Sequence, residues 1–198
     1  LYQYAGEVEG KGRSEDDLAY LRREREYLNC LMVERPNGDF AHTMLRQFYF
    51  AAFMHSFWEK ATASADETVA GIAGKAVKEV AYHIRHCGEW VIRLGDGTQE
   101  SAARMKAAVE ALAPYLDELF ETDEIGEAVA AAGIAPGPAS LRPAFDATVE
   151  RVFAEAFVEM PRASWPQSGG RHGRHGEEMG YLLAELQHMQ RTYPGATW

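Results

Sequence analysis

The sequence contains little of what several common kinds of site require. Its two cysteines do not have the spacing of a zinc site, and we favour buried thiols over the alternatives of a disulfide or a metal ligand. It has no glycine-rich phosphate loop, no Gly-x-Ser-x-Gly motif and no convincing pair of a nucleophile and a base. No long apolar run is present, so no transmembrane helix is predicted, and no secretory signal is visible.

Positive charge is also scarce. Lys and Arg number 20 against 30 Asp and Glu, which leaves a net charge of −10. Nucleic-acid-binding proteins present a basic face, so this balance argues against that class of partner. Cys30 and Cys87 both lie in apolar helical runs, and we expect buried free thiols in a reducing cytoplasm.

What the sequence does contain is helical periodicity. Apolar residues make up 46% of the chain, which is enough for a packed core. They recur at spacings of three and four, and no alternating strand pattern of any length appears. The sequence therefore predicts an all-α bundle, with helices over 1–9, 16–34, 39–62, 66–94, 99–121 with a kink at Pro114, 123–132, 141–160 and 177–193.

We expect one domain over residues 1–198. The opening segment, LYQYAGEVEG, has the pattern of the end of a helix, so we also expect natural sequence before Leu1. Gly71 and Gly74 lie inside the longest predicted helix and lower its stability by about 1 kcal/mol each relative to Ala. Their predicted use is to let a neighbouring helix approach closely.

The longest predicted helix, 66–94, carries a mixed polar stripe. Glu79, His83 and His86 recur at spacings of four and three, so their side chains point roughly the same way. One helix can supply two ligands to a zinc ion, but a third ligand normally comes from elsewhere. A mononuclear metal site on this stripe is therefore an alternative, and structural histidines are the interpretation we favour.

A di-iron site can be tested position by position. Ferritin-like di-iron bundles take one Glu from each of two helices and Glu-x-x-His from each of two others. In helix 39–62 the central histidine is His55, but three positions earlier stands Ala52, which cannot bind iron. The next helix after 66–94 contains no histidine. Only His55 and Glu79 fit, and we expect both to be vestigial or structural.

Without a metal, a carboxylate inside a bundle needs another partner. An unpaired buried Glu79 would cost several kcal/mol, so it must be paired, hydrogen-bonded, protonated or hydrated. We expect Lys75 or Arg46 to supply the positive charge.

Two further patterns lie near the C-terminus. Glu185 and His188 form a literal Glu-x-x-His, which we interpret as a solvent-facing or interface pair. The loop SGGRHGRHGEE can cradle an anion such as a phosphate, but we favour a mobile, solvated loop or a partner contact. Its candidate side chains are Arg171, His172, Arg174 and His175.

Four stretches together carry a family resemblance. ERPNGDFAHTMLRQFYF, KAVKEVAYHIRHCGEWVIRLGDGTQES, ELFETDEI and the C-terminal PGATW occur in this order at compatible spacing. They resemble the PaaC-type subunits of ring-1,2-phenylacetyl-CoA epoxidase, a multicomponent monooxygenase of bacterial phenylacetate degradation. The resemblance runs from about Asp17 to Trp198, and members of that family are longer at the N-terminus.

The resemblance implies a ferritin-like helical bundle with additional C-terminal helices. It also implies a non-catalytic structural subunit that pairs with a homologous di-iron catalytic subunit and joins the other subunits of the complex. That complex uses oxygen and electrons from a reductase to epoxidise the ring of phenylacetyl-CoA. No catalytic, cofactor-binding or metal-ligating residue is carried over to this chain.

One alternative stays open, which is an iron oxygenase or metal-binding protein in its own right. It would need ligands from before Leu1 in addition to Glu79, His55 and the Glu185–His188 pair. Self-association is a further option for an apolar surface left without a partner.

Overall fold

A computed structural model describes residues 1–161 and 165–196 of the chain. Residues 162–164, and the last two residues of the C-terminal PGATW stretch, lie outside the described residues. Within the described residues the structure is helical and contains no strand, which confirms the all-α class. The α-helices are α1 (Tyr2–Glu9), α2 (Glu15–Tyr20), α3 (Phe40–Ala61), α4 (Glu67–Gly95), α5 (Gln99–Leu112), α6 (Glu124–Ala131), α7 (Arg142–Glu155), α8 (Glu177–Leu186) and α9 (His188–Thr192).

Polar side chains set where five of these helices begin. A helix leaves its first amide groups without backbone partners, and a side-chain oxygen just before the helix can accept from them. The oxygens of Ser14, Asp39, Asp66, Thr98 and Asp123 each accept from a backbone amide two or three residues ahead. Because these interactions are local, the sequence predicts the starts of α3, α4, α5 and α6 to within a residue or two.

The described residues fall into two compact units, and each is described by itself. The first, which we call the bundle unit, is Asn37–Gln167. In it α3 packs against α4, α5 and α7, and α4 packs against α5 and α7, as expected for a ferritin-like bundle. Its core includes these fully buried large side chains: Leu45, Phe48, Tyr49, Met105, Leu112, Leu119, Leu141, Phe145 and Phe153.

The second unit joins the two ends of the chain, and we call it the clasp unit. It consists of Leu1–Pro36 and the described part of Ser168–Trp198. Three of its residues form a small apolar cluster, namely Tyr27, Met179 and Leu183. The single domain expected over 1–198 stays a prediction.

The predicted helix over 16–34 is wrong. Helix α2 ends at Tyr20, and two short 3₁₀ turns follow at Glu24–Glu26 and Leu31–Glu34. The hydroxyl of Tyr27 donates to the carbonyl of Ala19 at 2.8 Å, which folds the chain back on itself. Helix propensity is a weak preference, and tertiary contacts override it here.

The predicted helix over 141–160 is too long. Helix α7 ends at Glu155, and the amides of Phe157 and Val158 close the end on the carbonyls of Ala154 and Phe153. Phe157 takes a left-handed backbone with φ 54°, at a position where glycine is the usual residue. The predicted helix over 177–193 forms as α8 and α9, which meet at Gln187. Helix α5 ends at Leu112, and Pro114 lies within the 3₁₀ turn Ala113–Tyr115 that follows, so the predicted break there is confirmed.

Candidate functional site

The mixed polar stripe of α4 does not bring its side chains together at one binding site. Glu79 and His86 are exposed, and His83 is half-buried. The Tyr82 ring stacks on the His86 ring at 5.8 Å and meets the His83 ring edge-on at the same distance. The imidazoles therefore pack against an aromatic ring on the outside of α4.

The residues present do not fit a di-iron or mononuclear site. Among the described residues, no group of three or more His, Cys, Asp or Glu side chains lies close enough together to hold a metal ion. Glu185 and His188 are exposed side chains on the last two helices, which agrees with the expected solvent-facing pair. That this chain holds no metal nevertheless stays a prediction.

The expectation that Glu79 lies inside the bundle is wrong, and of the four alternatives given for its carboxylate, hydration is the one that applies. Its side chain is exposed, so water solvates the carboxylate and no buried charge has to be offset. The expected partner Arg46 instead donates to the side-chain oxygen of Asn37 at 2.6 Å. Lys75, the other expected partner, is exposed on α4.

The glycines that bring helices together are not the expected ones. Apart from neighbouring residues of α4 itself, no described atom would lie within 4 Å of a Cβ added to Gly71 or Gly74. At Gly88 a Cβ would meet Phe48 of α3 and Val152 of α7 at 3.5 Å, and at Gly95 it would collide with the carbonyl oxygen of Ala156. Close helix approach therefore occurs at the C-terminal end of α4.

Helix α4 is only partly covered by the rest of the bundle unit. It has 29 residues, of which Ala73, Cys87, Gly88 and Val91 are buried. Three of these lie near its C-terminal end, so most of its apolar stripe is only half-covered by the described residues. On α3, Phe40 is 49% exposed and meets Trp90 of α4 edge-on at 5.0 Å. The α3–α4 pair therefore presents uncovered apolar surface, as expected for a protein that binds a partner.

A buried polar cluster in the clasp unit was not predicted. The Glu34 and His175 side chains are 1% and 0% exposed, and Nδ1 of His175 lies 2.5 Å from Oε1 of Glu34. The Glu34 carboxylate also accepts from the side-chain amide of Asn29 at 2.8 Å and from the amide of Gly176 at 3.0 Å. Nε2 of His175 lies 2.9 Å from the carbonyl oxygen of Tyr27.

The contact with Tyr27 decides which ring nitrogen of His175 donates there. A carbonyl oxygen only accepts, so Nε2 of His175 carries the hydrogen shared with Tyr27. Because Asn29, His175 and Gly176 are all directed at the Glu34 carboxylate, the cluster holds two chain segments together.

The loop SGGRHGRHGEE is consequently packed. The expectation that it is solvated is wrong for its central residues. Gly170 and Gly173 are buried, and a Cβ on either would collide with a backbone carbonyl, of Asn29 or Arg25 respectively. His175 is fully enclosed by the cluster. Arg174 stays exposed.

Both cysteines are buried free thiols, which confirms the expectation for them. Burial raises the pKa of the Cys87 thiol, because desolvation penalises the thiolate. Such a thiol is a poor nucleophile. Among the described residues, no helix combines the length and apolar character needed to cross a bilayer.

Comparison with known proteins decides the family. The family model described as "Phenylacetic acid catabolic protein" matches residues 1–198. The chain belongs to this family. It is 41% identical over 195 residues to the C-subunit of 1,2-phenylacetyl-CoA epoxidase from Escherichia coli (strain K12). The match covers 98% of this chain and 78% of that relative. The resemblance carried by the four sequence stretches is therefore confirmed.

Proposed function

We propose that this family member is a structural subunit of a phenylacetyl-CoA 1,2-epoxidase of aerobic phenylacetate degradation. The observation that carries the proposal is the 41% identity to the Escherichia coli epoxidase component over 98% of the chain. In this role the chain binds and stabilises a homologous di-iron catalytic subunit and joins the other subunits of the complex. The two free thiols fit a cytoplasmic location, where thiols stay reduced.

Two features of the structure support a binding role over a catalytic one. The stripe with Glu79, His83 and His86 lies on the outside of α4 and forms no ligand cluster with other described residues. The α3–α4 pair leaves apolar side chains such as Phe40 half-exposed, and a partner that covers them gains free energy from their burial.

The test is co-expression with the di-iron catalytic subunit of the epoxidase from the same organism, followed by size-exclusion chromatography and metal analysis of each component. We expect a stable complex at micromolar concentration, iron in the catalytic subunit, and epoxidation of phenylacetyl-CoA only when both subunits and a reductase are present. Separate elution at micromolar concentration contradicts the proposal. Two irons bound to this chain would support the alternative of a metal-binding oxygenase in its own right.

A further inference from the structure

A row of exposed apolar side chains follows the last two helices. Leu182, Leu186, Met189 and Tyr193 are 41%, 42%, 43% and 56% exposed. Their spacings are four, three and four residues, which is the spacing of residues that share one face of a helix. We call these four residues the C-terminal stripe.

The C-terminal stripe crosses the junction between α8 and α9, with Leu182 and Leu186 on α8, Met189 on α9 and Tyr193 directly after it. The amide of Gln187 bonds to the carbonyl of Leu183, and the amide of Arg191 bonds to the carbonyl of Gln187, both at 3.0 Å. The amide of Tyr193 bonds to the carbonyl of Met189 at 2.9 Å. Gln187, between the two helices, has a right-handed backbone with φ −93° and ψ −3°, so the chain passes from α8 to α9 without reversing direction.

The two helices already use a different face for contacts within the clasp unit. Met179 and Leu183 are buried with Tyr27, and Gln187 is 4% exposed. The side-chain amide of Gln187 donates to the carbonyl of Arg22 at 2.7 Å and to the Tyr27 hydroxyl at 3.1 Å. The C-terminal stripe lies beside this buried face, and no described residue covers it enough to bury it.

Helix α8 is also held firmly at its start. The amide of Gly176 donates to Glu34, and Arg35 forms an ion pair with Glu178 at 2.7 Å. Because polar contacts fix both ends of the helix, the C-terminal stripe is presented in one orientation. A surface that is ordered before binding loses little conformational entropy when a partner covers it.

Charge indicates what kind of partner fits. Glu185 is exposed and lies three residues after Leu182 and four before Met189, so it borders the C-terminal stripe. In a two-fold symmetric pair of this chain, two Glu185 carboxylates would approach the same interface and repel each other. A helix with an apolar face bordered by Lys or Arg would instead complement this edge.

We propose that the C-terminal stripe docks a basic amphipathic helix of another subunit of the epoxidase complex. The inference rests on the proposed function, because it takes the partner from that complex. The partner's apolar face covers Leu182, Leu186, Met189 and Tyr193, and its basic border faces Glu185.

The test measures binding of the full chain to the co-purified remaining subunits of the complex. The double variant Leu186→Glu with Met189→Glu should weaken the dissociation constant by at least about tenfold, as expected when central apolar contacts are lost. Val8→Glu is the matched control, because Val8 is a 70% exposed apolar residue of α1 in the same unit. It should bind like the unchanged chain, and circular dichroism should show equal helicity for all variants.

A charge variant tests the basic border separately. Glu185→Lys should weaken binding several-fold at low salt, and the difference from the unchanged chain should shrink as salt screens the charges. Unchanged or tighter binding by Glu185→Lys overturns the basic partner. Unchanged binding by the double variant overturns the docking surface and leaves the proposed function standing. If the unchanged chain binds no other subunit, the proposed function fails instead. Self-association that the double variant abolishes would show that a second copy of this chain, and not another subunit, covers the C-terminal stripe.

Discussion

The bundle unit and the clasp unit are stabilised in different ways. The bundle unit buries large side chains such as Phe48, Tyr49, Phe145 and Phe153, which pack as neighbouring rings. The clasp unit buries a three-residue apolar cluster and, beside it, a network of polar groups centred on Glu34. The comparison shows that one chain of uniformly helical pattern can form one region by apolar burial and another by buried hydrogen bonds.

The largest expected effect tests the apolar core of the bundle unit. Phe145 is 2% exposed, and its ring lies 5.2 Å from the Phe120 ring and 6.1 Å from the Tyr49 ring. Phe145→Ala removes these contacts and leaves a cavity, so it should lower the free energy of unfolding by about 4 kcal/mol. Denaturant unfolding measures this loss. Ile125→Ala is the control, since Ile125 is 70% exposed, and an equal loss there would contradict the assignment of the core.

The next effect tests the polar cluster of the clasp unit. Glu34→Ala removes the acceptor shared by Asn29, His175 and Gly176, and should cost about 3 kcal/mol because buried polar partners are left unpaired. We expect the loss to appear as faster hydrogen exchange in 27–34 and 175–187, with exchange in α3 and α4 unchanged. Glu177→Ala, at an exposed position, serves as the control. Equal acceleration throughout the chain would show that the two regions do not differ in this way.

A smaller effect concerns Tyr49, whose side chain is buried among the aromatic rings of the bundle unit. The Tyr49 hydroxyl is buried without a hydrogen-bond partner among the described residues. Tyr49→Phe removes this unsatisfied group and should raise the free energy of unfolding by about 1 kcal/mol. A loss of stability would show that the hydroxyl has a partner, such as a buried water.

Tyr49 also makes the free energy of unfolding depend on pH. Burial raises the pKa of Tyr49, because desolvation penalises the phenolate. In the unfolded chain the phenol releases its proton at about pH 10, while the folded chain still holds it. The contribution of Tyr49 to the free energy of unfolding is therefore fully present below that pH and falls as the pH rises through it. The fall should be shallower in Tyr49→Phe, as measured by unfolding at a series of alkaline pH values.

The smallest effect concerns the strained end of α7. Phe157 is 78% exposed and has a left-handed backbone, so little burial offsets its steric cost. Phe157→Gly should raise the free energy of unfolding by up to about 1 kcal/mol. Phe157→Ala is the control, because alanine removes the ring and keeps the steric cost. Equal stability of the two variants would contradict the strain.

Prediction from the sequence succeeded where the signal is local. The cap at Asp39, the break at Pro114 and the apolar stripe through Ala73 and Val91 each depend on residues a few positions apart. It failed for 16–34, where leucines at helical spacing form short turns instead of a helix. It also failed for Glu79, because its spacing from His83 and His86 showed that they share a stripe but not which way that stripe faces. The Glu34–His175 contact was out of reach, because no periodicity joins residues 141 positions apart.

The sequence by itself determined the helical class, most helix starts in the bundle unit and the family, because caps, periodicity and ordered motifs are all contained in short stretches. Only the tertiary structure decided which polar residues are buried, which glycines meet a neighbouring helix, and which apolar stripe stays uncovered. The physical reason is that burial depends on what packs against a side chain. In this chain the group that packs against Glu34 comes from the other end of the sequence.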